Sequence, residues 1–246
     1  MTICIIQARM GSTRLPGKIM KDLAGKKVLW HVVNRVAKAK NIDKIVVATT
    51  VNQEDDLVEH FCKENGFLVY RGSAENVLER FYEVAKKFGA DHVVRITGDC
   101  PLIDPHIIDF CVEAFLKVGC DYISDVPPGD QPLFRNQDVE IISFFALEKT
   151  FQNALKIYER EHVTPYIWQN KKQEFTIGPT VAIDSKYNRN YRLTVDYPQD
   201  FELMEKIYRK FYKPGEIIDI VEVYSFLDKN PEWVAINSHC RKKSIQ

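Results

Sequence analysis

A basic loop near the amino terminus carries the strongest chemical signal in the sequence. Its residues are Gln7-Ala8-Arg9-Met10-Gly11-Ser12-Thr13-Arg14-Leu15-Pro16-Gly17-Lys18. Arginine grips phosphate oxygens in pairs and lysine acts as a compact charge, so Arg9, Arg14 and Lys18 fit a chain of phosphates. Gly11 lets the backbone approach a ligand closely, and the hydroxyl of Ser12 adds a donor. The loop therefore predicts a polyphosphate-binding site, with a plain basic turn as the alternative.

The loop matches neither of two common nucleotide-binding motifs. A P-loop, G-x-x-x-x-G-K-[ST], requires serine or threonine after the lysine, but Ile19 follows Lys18. The dinucleotide motif G-x-G-x-x-G is also missing from this segment. The sequence thus indicates a phosphate site of another kind.

Two aspartates follow apolar runs elsewhere in the chain. Asp99 ends the segment Arg95-Ile96-Thr97-Gly98-Asp99, and Asp196 ends the segment Arg192-Leu193-Thr194-Val195-Asp196. Magnesium in phosphate-transfer sites takes one or two carboxylates and fills its other positions with water and substrate phosphates. We therefore predict that Asp99 and Asp196 together hold one Mg²⁺. Taken singly, either aspartate is equally typical of a helix cap or a turn.

Other polar residues each have a functional and a structural interpretation. Ser73 follows a predicted strand and fits either a contact to a base or ribose or a helix N-cap. Arg80 either reaches the same ligand or is a solvated helix charge. Glu161 and His162 are either acceptor contacts or structural residues. Asp104 stands before a proline and predicts a helix cap.

The elements that position these residues alternate along the first half of the chain. Apolar runs predict strands at 2–7, 44–50, 67–70 and 92–97, and helical periodicity predicts helices at 27–40, 54–65, 74–88 and 105–117. Consecutive βα units indicate an α/β fold with a mostly parallel sheet and helices on both faces. In such sheets ligands bind beyond the carboxyl ends of the strands, where the basic loop and Asp99 both lie.

The pattern changes near residue 125. The turn-rich run Val126-Pro127-Pro128-Gly129-Asp130-Gln131-Pro132 predicts a connector, and we interpret residues 127–190 as an insertion within a single domain of residues 1–246. The insertion is predicted to contain strands at 139–142 and 174–183 and helices at 144–154 and 160–169. The chain is then predicted to return to the main sheet with a strand at 192–196, followed by helices at 199–211 and 219–227 and by a solvated basic end, Arg241-Lys242-Lys243.

Composition narrows the class of protein. The 246 residues are 45% hydrophobic, enough for a full core, and 34 basic residues balance 34 acidic ones. A chain with no net field predicts neither nucleic acid nor membrane as a partner. The six cysteines contain no C-x-x-C pair, which argues against a zinc ribbon or a secreted disulfide framework. Without a signal-like segment or about 18 consecutive apolar residues, a cytoplasmic protein is expected.

Four segments together resemble a known family. They are A-R-M-G-S-T-R-L-P-G-K, R-G-S-x-x-N-V-L-E-R-F, R-I-T-G-D-C-P-L-I-D and R-L-T-V-D-Y-P-Q-D-F-E-L. In this order, over most of residues 1–210, they closely resemble the spore-coat-polysaccharide branch of the cytidylyltransferases, which is related to the CMP-KDO and CMP-sialate synthetases. The resemblance implies a Rossmann-like nucleotide-diphospho-sugar transferase fold, CTP as substrate, Mg²⁺ as cofactor and a possible homodimer.

The resemblance also assigns roles to residues. Asp99 and Asp196 match the family's metal aspartates, and Arg14 and Lys18 are given the catalytic role of steadying the departing phosphates. The segment after Pro127 is expected to help bind the acceptor and to form dimer contacts. The complete set of predicted nucleotide contacts is Ala8, Arg9, Met10, Gly11, Ser12, Arg14, Lys18, Ser73, Arg80, Thr97, Gly98 and Asp99.

The predicted reaction is transfer of CMP from CTP to a small acidic sugar or a phosphorylated acceptor, with release of pyrophosphate, in surface-polysaccharide or glycan precursor synthesis. The sequence leaves open whether the product is CMP-linked or CDP-linked. One alternative is a glycosyltransferase of the same fold, although Asp99 is followed by Cys100-Pro101 and not by the usual Asp-x-Asp motif. Another is a non-catalytic nucleotide-binding protein. Hydrolase mechanisms have no support, because the sequence lacks their nucleophile and zinc motifs.

Overall fold

The computed structural model describes residues 1–127 and 137–240. Its strands are β1 (Thr2–Gln7), β2 (Asp22–Leu23), β3 (Lys26–Lys27), β4 (Lys44–Thr50), β5 (Leu68–Gly72), β6 (His92–Thr97), β7 (Tyr122–Ser124) and β8 (Glu140–Ser143). Six of them form a mixed sheet in the order β5-β4-β1-β6-β8-β7, and β2 and β3 form a separate hairpin. β5, β4, β1 and β6 are parallel, whereas β8 is antiparallel to both β6 and β7.

Helices cover both faces of the sheet. They are α1 (Val28–Val36), α2 (Asp56–Glu64), α3 (Val77–Phe88), α4 (Pro105–Val118), α5 (Phe144–Asn153), α6 (Ile157–His162), α7 (Pro165–Gln169), α8 (Pro198–Phe211), α9 (Ile220–Leu227) and α10 (Pro231–Val234). Successive side chains of a strand point to opposite faces. Accordingly, Cys4 and Ile6 of β1 join a core cluster with α1, α2 and α4, while Ile3 and Ile5 join one with α3, α5 and α7.

The carboxyl-terminal helices pack beside the basic loop. α8 and α9 supply most of a third buried cluster. Leu15 of the loop, Leu23 of β2 and Val28 of α1 also belong to it. The hydroxyl of Tyr208 in α8 also donates a 2.6 Å hydrogen bond to the carbonyl oxygen of Pro101. This packing holds the segment that precedes α8, with Asp196, close to both the loop and the end of β6.

Two strand predictions are wrong. Residues 192–196 form no ladder; Val195 N–H donates a single 2.8 Å hydrogen bond to the Asp99 carbonyl oxygen, and the apolar side chains pack into the third cluster and not onto the sheet. Residues 174–183 make only an isolated bridge, between Tyr122 and Ile177. The register with β7 is lost after this bridge, because Gly178 N–H donates to the Tyr122 carbonyl oxygen but the next donor, Val181 N–H to the Ser124 carbonyl oxygen, lies three residues further on and not two.

The helix predicted at 160–169 is two helices. α6 ends at His162, Val163 adopts a positive φ of 71°, and Pro165 begins α7. Proline is disfavoured inside a helix but fits its first turn, so the first helix ends before Pro165 and a new helix begins there. The sequence also missed the β2–β3 hairpin and β7, which are too short to show periodicity.

Part of the predicted insertion belongs to the main sheet and its core, because β8 pairs with β6 and α5 packs in the second buried cluster. The boundaries drawn at 127–190 stay a prediction. Part of the turn-rich connector, residues 128–136, and the basic end at 241–243 lie outside the described residues. No helix of residues 1–127 and 137–240 is long and apolar enough to cross a membrane.

Candidate functional site

A cleft of about 420 Å³ opens at the carboxyl ends of β1 and β6. The basic loop and the start of α3 line one part of it, and β7, β8, α6 and α7 line another. Ten of the twelve predicted nucleotide contacts line this cleft; the other two, Met10 and Ser73, do not. Asp196, Glu161 and His162 also line it.

The basic loop is held in place by a buried carboxylate. Asp55, which is fully buried, accepts a 2.7 Å hydrogen bond from the Met10 N–H. The Met10 carbonyl oxygen in turn accepts hydrogen bonds from the N–H groups of Ser12, at 2.8 Å, and Gly17, at 3.0 Å. Gly17 has a φ of 65°, a left-handed conformation that favours glycine. Met10 therefore shapes the loop, and its predicted nucleotide contact stays a prediction.

Gly98 brings Asp99 close to the loop. Its N–H donates a 2.9 Å hydrogen bond to the Gln7 carbonyl oxygen, so the ends of β6 and β1 are joined. A Cβ at this position would lie 3.1 Å from both the Gln7 carbonyl oxygen and the Ala8 Cβ. Only glycine permits this approach without displacing the backbone of β1.

The two predicted metal aspartates lie against one cation. The Nζ of Lys18 is 2.5 Å from Asp99 Oδ2 and 2.7 Å from Asp196 Oδ1. Arg14 also donates to Asp196 Oδ1, at 2.7 Å, and its guanidinium lies over the Tyr197 ring with 5.0 Å to the centroid. The structure thus brings the loop cations and both distant carboxylates together, as the sequence predicted.

A buried network fixes Asp196 from behind. Arg192 donates to both oxygens of Asp200, at 2.7 and 2.9 Å, and to Asp196 Oδ2, at 3.0 Å. Asp200, only 1% exposed, also accepts the N–H groups of Asp196 and Tyr197 and the Nδ2 of Asn237. The sequence analysis missed these positioning residues. The signal that was available is the carboxylate two residues after Pro198, in the first turn of α8.

Both members of the central ion pair favour their charged forms. Burial raises the pKa of Asp99, but the adjacent Lys18 ammonium and hydrogen bonds from Lys18 and Thr97 outweigh it, and the pKa lies below its ordinary value. Burial lowers the pKa of Lys18, but Asp99 and Asp196 outweigh it and the pKa lies above its ordinary value. Asp99 and Lys18 are therefore both ionised at neutral pH.

Arg80 and Ser73 lie near the start of α3. Arg80 is 2% exposed and donates to the Ser73 carbonyl oxygen, so the interpretation of Arg80 as a solvated charge is wrong. Burial, with a smaller contribution from Arg9, lowers the pKa of Arg80 to about 10. The N-cap of α3 is Asn76, so Ser73 is not the cap; its hydroxyl accepts a 3.2 Å hydrogen bond from the Asn76 N–H.

A second polar network lines the cleft at β6, β7 and β8. Arg95 forms a buried ion pair with Glu140, and Glu140 Oε1 accepts 2.7 Å hydrogen bonds from the hydroxyls of Tyr122 and Thr164. All four residues line the cleft, as does Trp168. The sequence analysis missed this network, although charged residues inside apolar strands were a visible signal.

Asp99 and Asp196 fit a hard divalent cation. Their carboxylates already accept hydrogen bonds from one shared ammonium, and two carboxylates completed by substrate phosphates form the donor set that magnesium prefers. In the described parts of the chain, no cluster of three or more His, Cys, Asp or Glu side chains is placed to hold a metal by protein ligands alone. A metal at this site would therefore complete its coordination with oxygen atoms from water or from a bound substrate.

A basic loop after the first strand, beside two carboxylates at the edge of a mostly parallel sheet, is the arrangement expected of a nucleotidyltransferase with the nucleotide-diphospho-sugar transferase fold. The profile of the cytidylyltransferase family matches residues 3–218, and the chain belongs to this family. It is a CTP-dependent nucleotidyltransferase. The predicted fold class and the predicted family are both confirmed.

Relatives and a solved structure agree with this assignment. An uncharacterized protein of Methanocaldococcus jannaschii is 40% identical over 99% of this chain and 97% of its own length. The spore coat polysaccharide biosynthesis protein SpsF of Bacillus subtilis is 35% identical over 93% of this chain and 94% of its own. A 3-deoxy-manno-octulosonate cytidylyltransferase of Trichlorobacter lovleyi is 38% identical over 83% of each chain. The structure of a cytidylyltransferase from Leptospira borgpetersenii, 33% identical, superposes with a TM-score of 0.83 over 95% of this chain and 96% of that one.

Proposed function

We propose that this enzyme transfers CMP from CTP to a small acidic sugar or a phosphorylated acceptor in the synthesis of a surface-polysaccharide or glycan precursor. The observation that carries the proposal is the convergence of Arg14, Lys18, Asp99 and Asp196 at one point of the cleft. Similarity to a spore coat polysaccharide protein and to a 3-deoxy-manno-octulosonate cytidylyltransferase supports the acceptor class.

In the proposed reaction an acceptor oxygen attacks the α-phosphorus of CTP in line with the departing group. The bond from that phosphorus to the bridging oxygen breaks, and pyrophosphate leaves with the electron pair. Arg14 and Lys18 steady the charge that develops on the β- and γ-phosphates. Mg²⁺ held by Asp99 and Asp196 supplies charge neutralisation at the phosphates when bound.

The remaining loop and strand-end residues are proposed to hold the nucleotide. Arg9 and Ser12 offer donors from the exposed side of the loop, and Arg80 supplies a buried guanidinium at the start of α3. The Nε of Arg80 has no hydrogen-bond partner within the described part of the chain. A buried donor without a partner is costly, so a ligand acceptor such as a base carbonyl or a ribose oxygen would relieve it.

The end of the cleft at β7, β8 and α6 is proposed to receive the acceptor. Glu140 is paired with Arg95 and accepts hydrogen bonds from Tyr122 and Thr164, which suits it to anchoring and not to proton transfer. Glu161 and His162 are the titratable groups of α6 that line the cleft. A phosphate acceptor is already ionised and needs no base, whereas a sugar hydroxyl would need one of these two groups to take its proton.

The test is a substrate screen read by pyrophosphate release. Purified enzyme with magnesium is mixed with CTP, GTP, UTP or ATP, each combined with sugar phosphates, ulosonates and small phosphorylated acids. We expect release only with CTP, and only with an acidic or phosphorylated acceptor. Turnover of a sugar nucleotide would instead favour a glycosyltransferase, and CTP binding without turnover by any acceptor would favour a nucleotide-binding protein that lacks catalysis.

We also propose a cytoplasmic homodimer. Cytoplasmic location follows from the use of CTP, which cells make there. The dimer is supported by two apolar side chains of the predicted insertion, Leu155 and Ile157, which are 78% and 83% exposed. The two residues are close in the chain, and exposed apolar patches are typical of surfaces that bind another protein.

A further inference from the structure

The ammonium group of Lys18 acts as the internal counter-ion of the two metal aspartates. Its two hydrogen bonds, 2.5 Å to Asp99 and 2.7 Å to Asp196, join side chains that are 19% and 15% exposed. Carboxylates held this close and this far from water repel one another unless a cation lies between them. Lys18 therefore does for the pair what a shared metal ion would do.

The charge of this cluster is balanced within itself. Three cations and three carboxylates are hydrogen-bonded to one another: Arg14, Lys18, Arg192, Asp99, Asp196 and Asp200. A divalent cation that entered alone would leave the cluster with two excess positive charges and would face the Lys18 ammonium at short range. A triphosphate that entered with it would reverse that excess and offer the ammonium a new partner.

The side chain of Lys18 is built to make such a move. Its backbone is fixed, because Lys18 N–H donates to the Leu15 carbonyl oxygen and the next residue, Ile19, is 2% exposed in the first core cluster. The ammonium itself is a single charge on a flexible four-carbon stem. Arg14 is more constrained, since its guanidinium lies over the Tyr197 ring while it binds Asp196.

We propose that Lys18 bridges Asp99 and Asp196 until CTP binds and then moves to the triphosphate, so that a divalent cation and CTP bind with positive coupling. Lys18 thus keeps a divalent cation out of the cleft until the nucleotide arrives. The proposal rests on the proposed function, because it requires CTP and a divalent cation at this site. Coupling of two ligands is reciprocal, so it is measurable from either one.

The test uses Mn²⁺ as the probe and binding as the readout. Mn²⁺ is titrated into wild type, Lys18→Met and Lys38→Met, with and without CTP, and its dissociation constant is measured by calorimetry and electron paramagnetic resonance. Lys38→Met is the matched control, because Lys38 is an exposed lysine that does not line the cleft. No acceptor is present, so no turnover occurs.

We expect CTP to tighten Mn²⁺ binding to wild type and to Lys38→Met by about tenfold or more, a usual size for coupled sites. Lys18→Met should bind Mn²⁺ alone about tenfold more tightly than wild type and gain little from CTP. When a chelator is added to remove all metal, Lys18→Met should also have a lower melting temperature than wild type, because its two carboxylates repel each other. Mn²⁺ alone should then raise the melting temperature of Lys18→Met by more than it raises that of wild type.

Two results would contradict the proposed movement of Lys18 from the aspartates to the triphosphate. One is a Lys18→Met protein that binds Mn²⁺ alone no more tightly than wild type does. The other needs no variant: equal Mn²⁺ affinity of wild type with and without CTP. Pyrophosphate release by wild type distinguishes failure of this proposal from failure of the proposed function. Turnover without coupling of Mn²⁺ and CTP rejects only the movement of Lys18, whereas absence of both CTP binding and turnover rejects the proposed function.

Discussion

The carboxylate of Asp196 is held through both of its oxygens. Arg14 and Lys18 donate to Oδ1 and Arg192 donates to Oδ2. A charged group fixed in this way needs little rearrangement when charge develops on a neighbouring phosphate, which is the main source of electrostatic catalysis. The same argument applies to Asp99, which the Gly98 approach and the Lys18 hydrogen bond hold at the end of β6.

Replacing either aspartate with asparagine removes the charge and keeps the shape. We expect Asp99→Asn and Asp196→Asn each to lower kcat/KM for metal-dependent pyrophosphate release by about 10² or more, the usual size for loss of one electrostatic contact to the reacting phosphates. Steady-state kinetics over a range of magnesium concentrations measures this. Asp184→Asn, in an exposed turn, serves as the control and should match wild type. Unchanged rates in both aspartate variants would reject the metal assignment.

Asp200 is expected to act through Asp196 and not on the substrate. Asp200→Asn loses the charge that holds Arg192, so the apparent KM for magnesium should rise by about tenfold, as for other groups that orient metal ligands, while kcat recovers at saturating metal. Asp219→Asn is the matched control, since Asp219 also accepts an N–H at a helix start, in α9. It should keep its magnesium KM and most of its stability, because asparagine caps a helix about as well as aspartate does. An equal change in both variants would make the role of Asp200 structural only.

The residue types predicted some of the charged side chains of the cleft, but not the residues that hold them in position. Lys18, Asp99 and Asp196 follow or precede recognisable turns, and the sequence predicted that they meet. Arg192 was read as the start of a strand, and its bidentate contact to Asp200 depends on the chain turning back after Asp196. Hydrogen-bond partners of this kind are set by tertiary packing, which a linear pattern does not encode.

The elements show why some segments were predictable and others were not. The first four βα units carry long periodic patterns, and the structure has them close to the predicted bounds. Residues 192–196 have an apolar pattern too, but the pattern does not state which surface it packs on, and here it packs against α8 and α9. An apolar run indicates burial, whereas pairing into a sheet needs an open strand edge beside it.

The junction of β1 and β6 gives a prediction at this scale. Gly98→Ala places a Cβ 3.1 Å from the Gln7 carbonyl oxygen and must push the strand ends apart. We expect a loss of about 1–3 kcal/mol in the free energy of unfolding, as for other overpacked sites, with a higher KM for CTP. Urea denaturation and kinetics measure the two effects. Gly66→Ala, where φ is 70° and nothing lies within 4 Å, should lose about 1 kcal/mol from backbone strain and keep its KM.

His31 makes the packing of α1 on the β2–β3 hairpin sensitive to acid. Its Nε2 lies 2.7 Å from the Leu23 carbonyl oxygen, and the rings of Tyr208 and Tyr212 pack against it. Burial lowers the pKa of His31 to about 4, against the opposing effect of the Leu23 hydrogen bond. In the unfolded chain histidine titrates near pH 6.5, so the unfolded state takes up the proton first as pH falls.

Stability should therefore fall between pH 6.5 and pH 4, by up to about 3 kcal/mol from this residue, and His31 should contribute no pH dependence above that window. Urea denaturation at half-unit steps of pH measures the slope. His31→Gln keeps a donor for Leu23 but has no proton to gain, so its slope should be shallower. A slope equal to that of wild type would show that His31 is not the group responsible.

For the whole molecule, a net charge of zero does not reveal that charged side chains of both signs are concentrated in the cleft. Basic and acidic residues balance at 34 each, yet the opening loop gathers Arg9, Arg14 and Lys18 at the cleft. Balanced bulk charge leaves the attraction of a triphosphate to local groups, whose field is short-ranged at physiological salt. The expectation that the protein binds neither nucleic acid nor membrane therefore stays a prediction from overall composition, while the ligand class was predicted from the local pattern.

The assembly state gives a prediction for the whole molecule. Wild type should elute as a homodimer at micromolar concentration, and Ile157→Lys should shift it towards monomer, because a charge is costly to bury in an apolar interface. Light scattering after size exclusion measures the mass. Val51→Lys is the control, since Val51 is 63% exposed but outside the predicted insertion. A monomeric wild type would refute the dimer, and dimers of equal mass for all three proteins would show that Ile157 is not at the interface.

The support of Asp196 by Asn237, through Asp200, has a consequence for protein synthesis. The basic loop is synthesised long before Asn237, the side chain that completes the support of the second aspartate. A nascent or truncated polypeptide that lacks Asn237 can therefore carry the basic loop while the support of Asp196 is still incomplete.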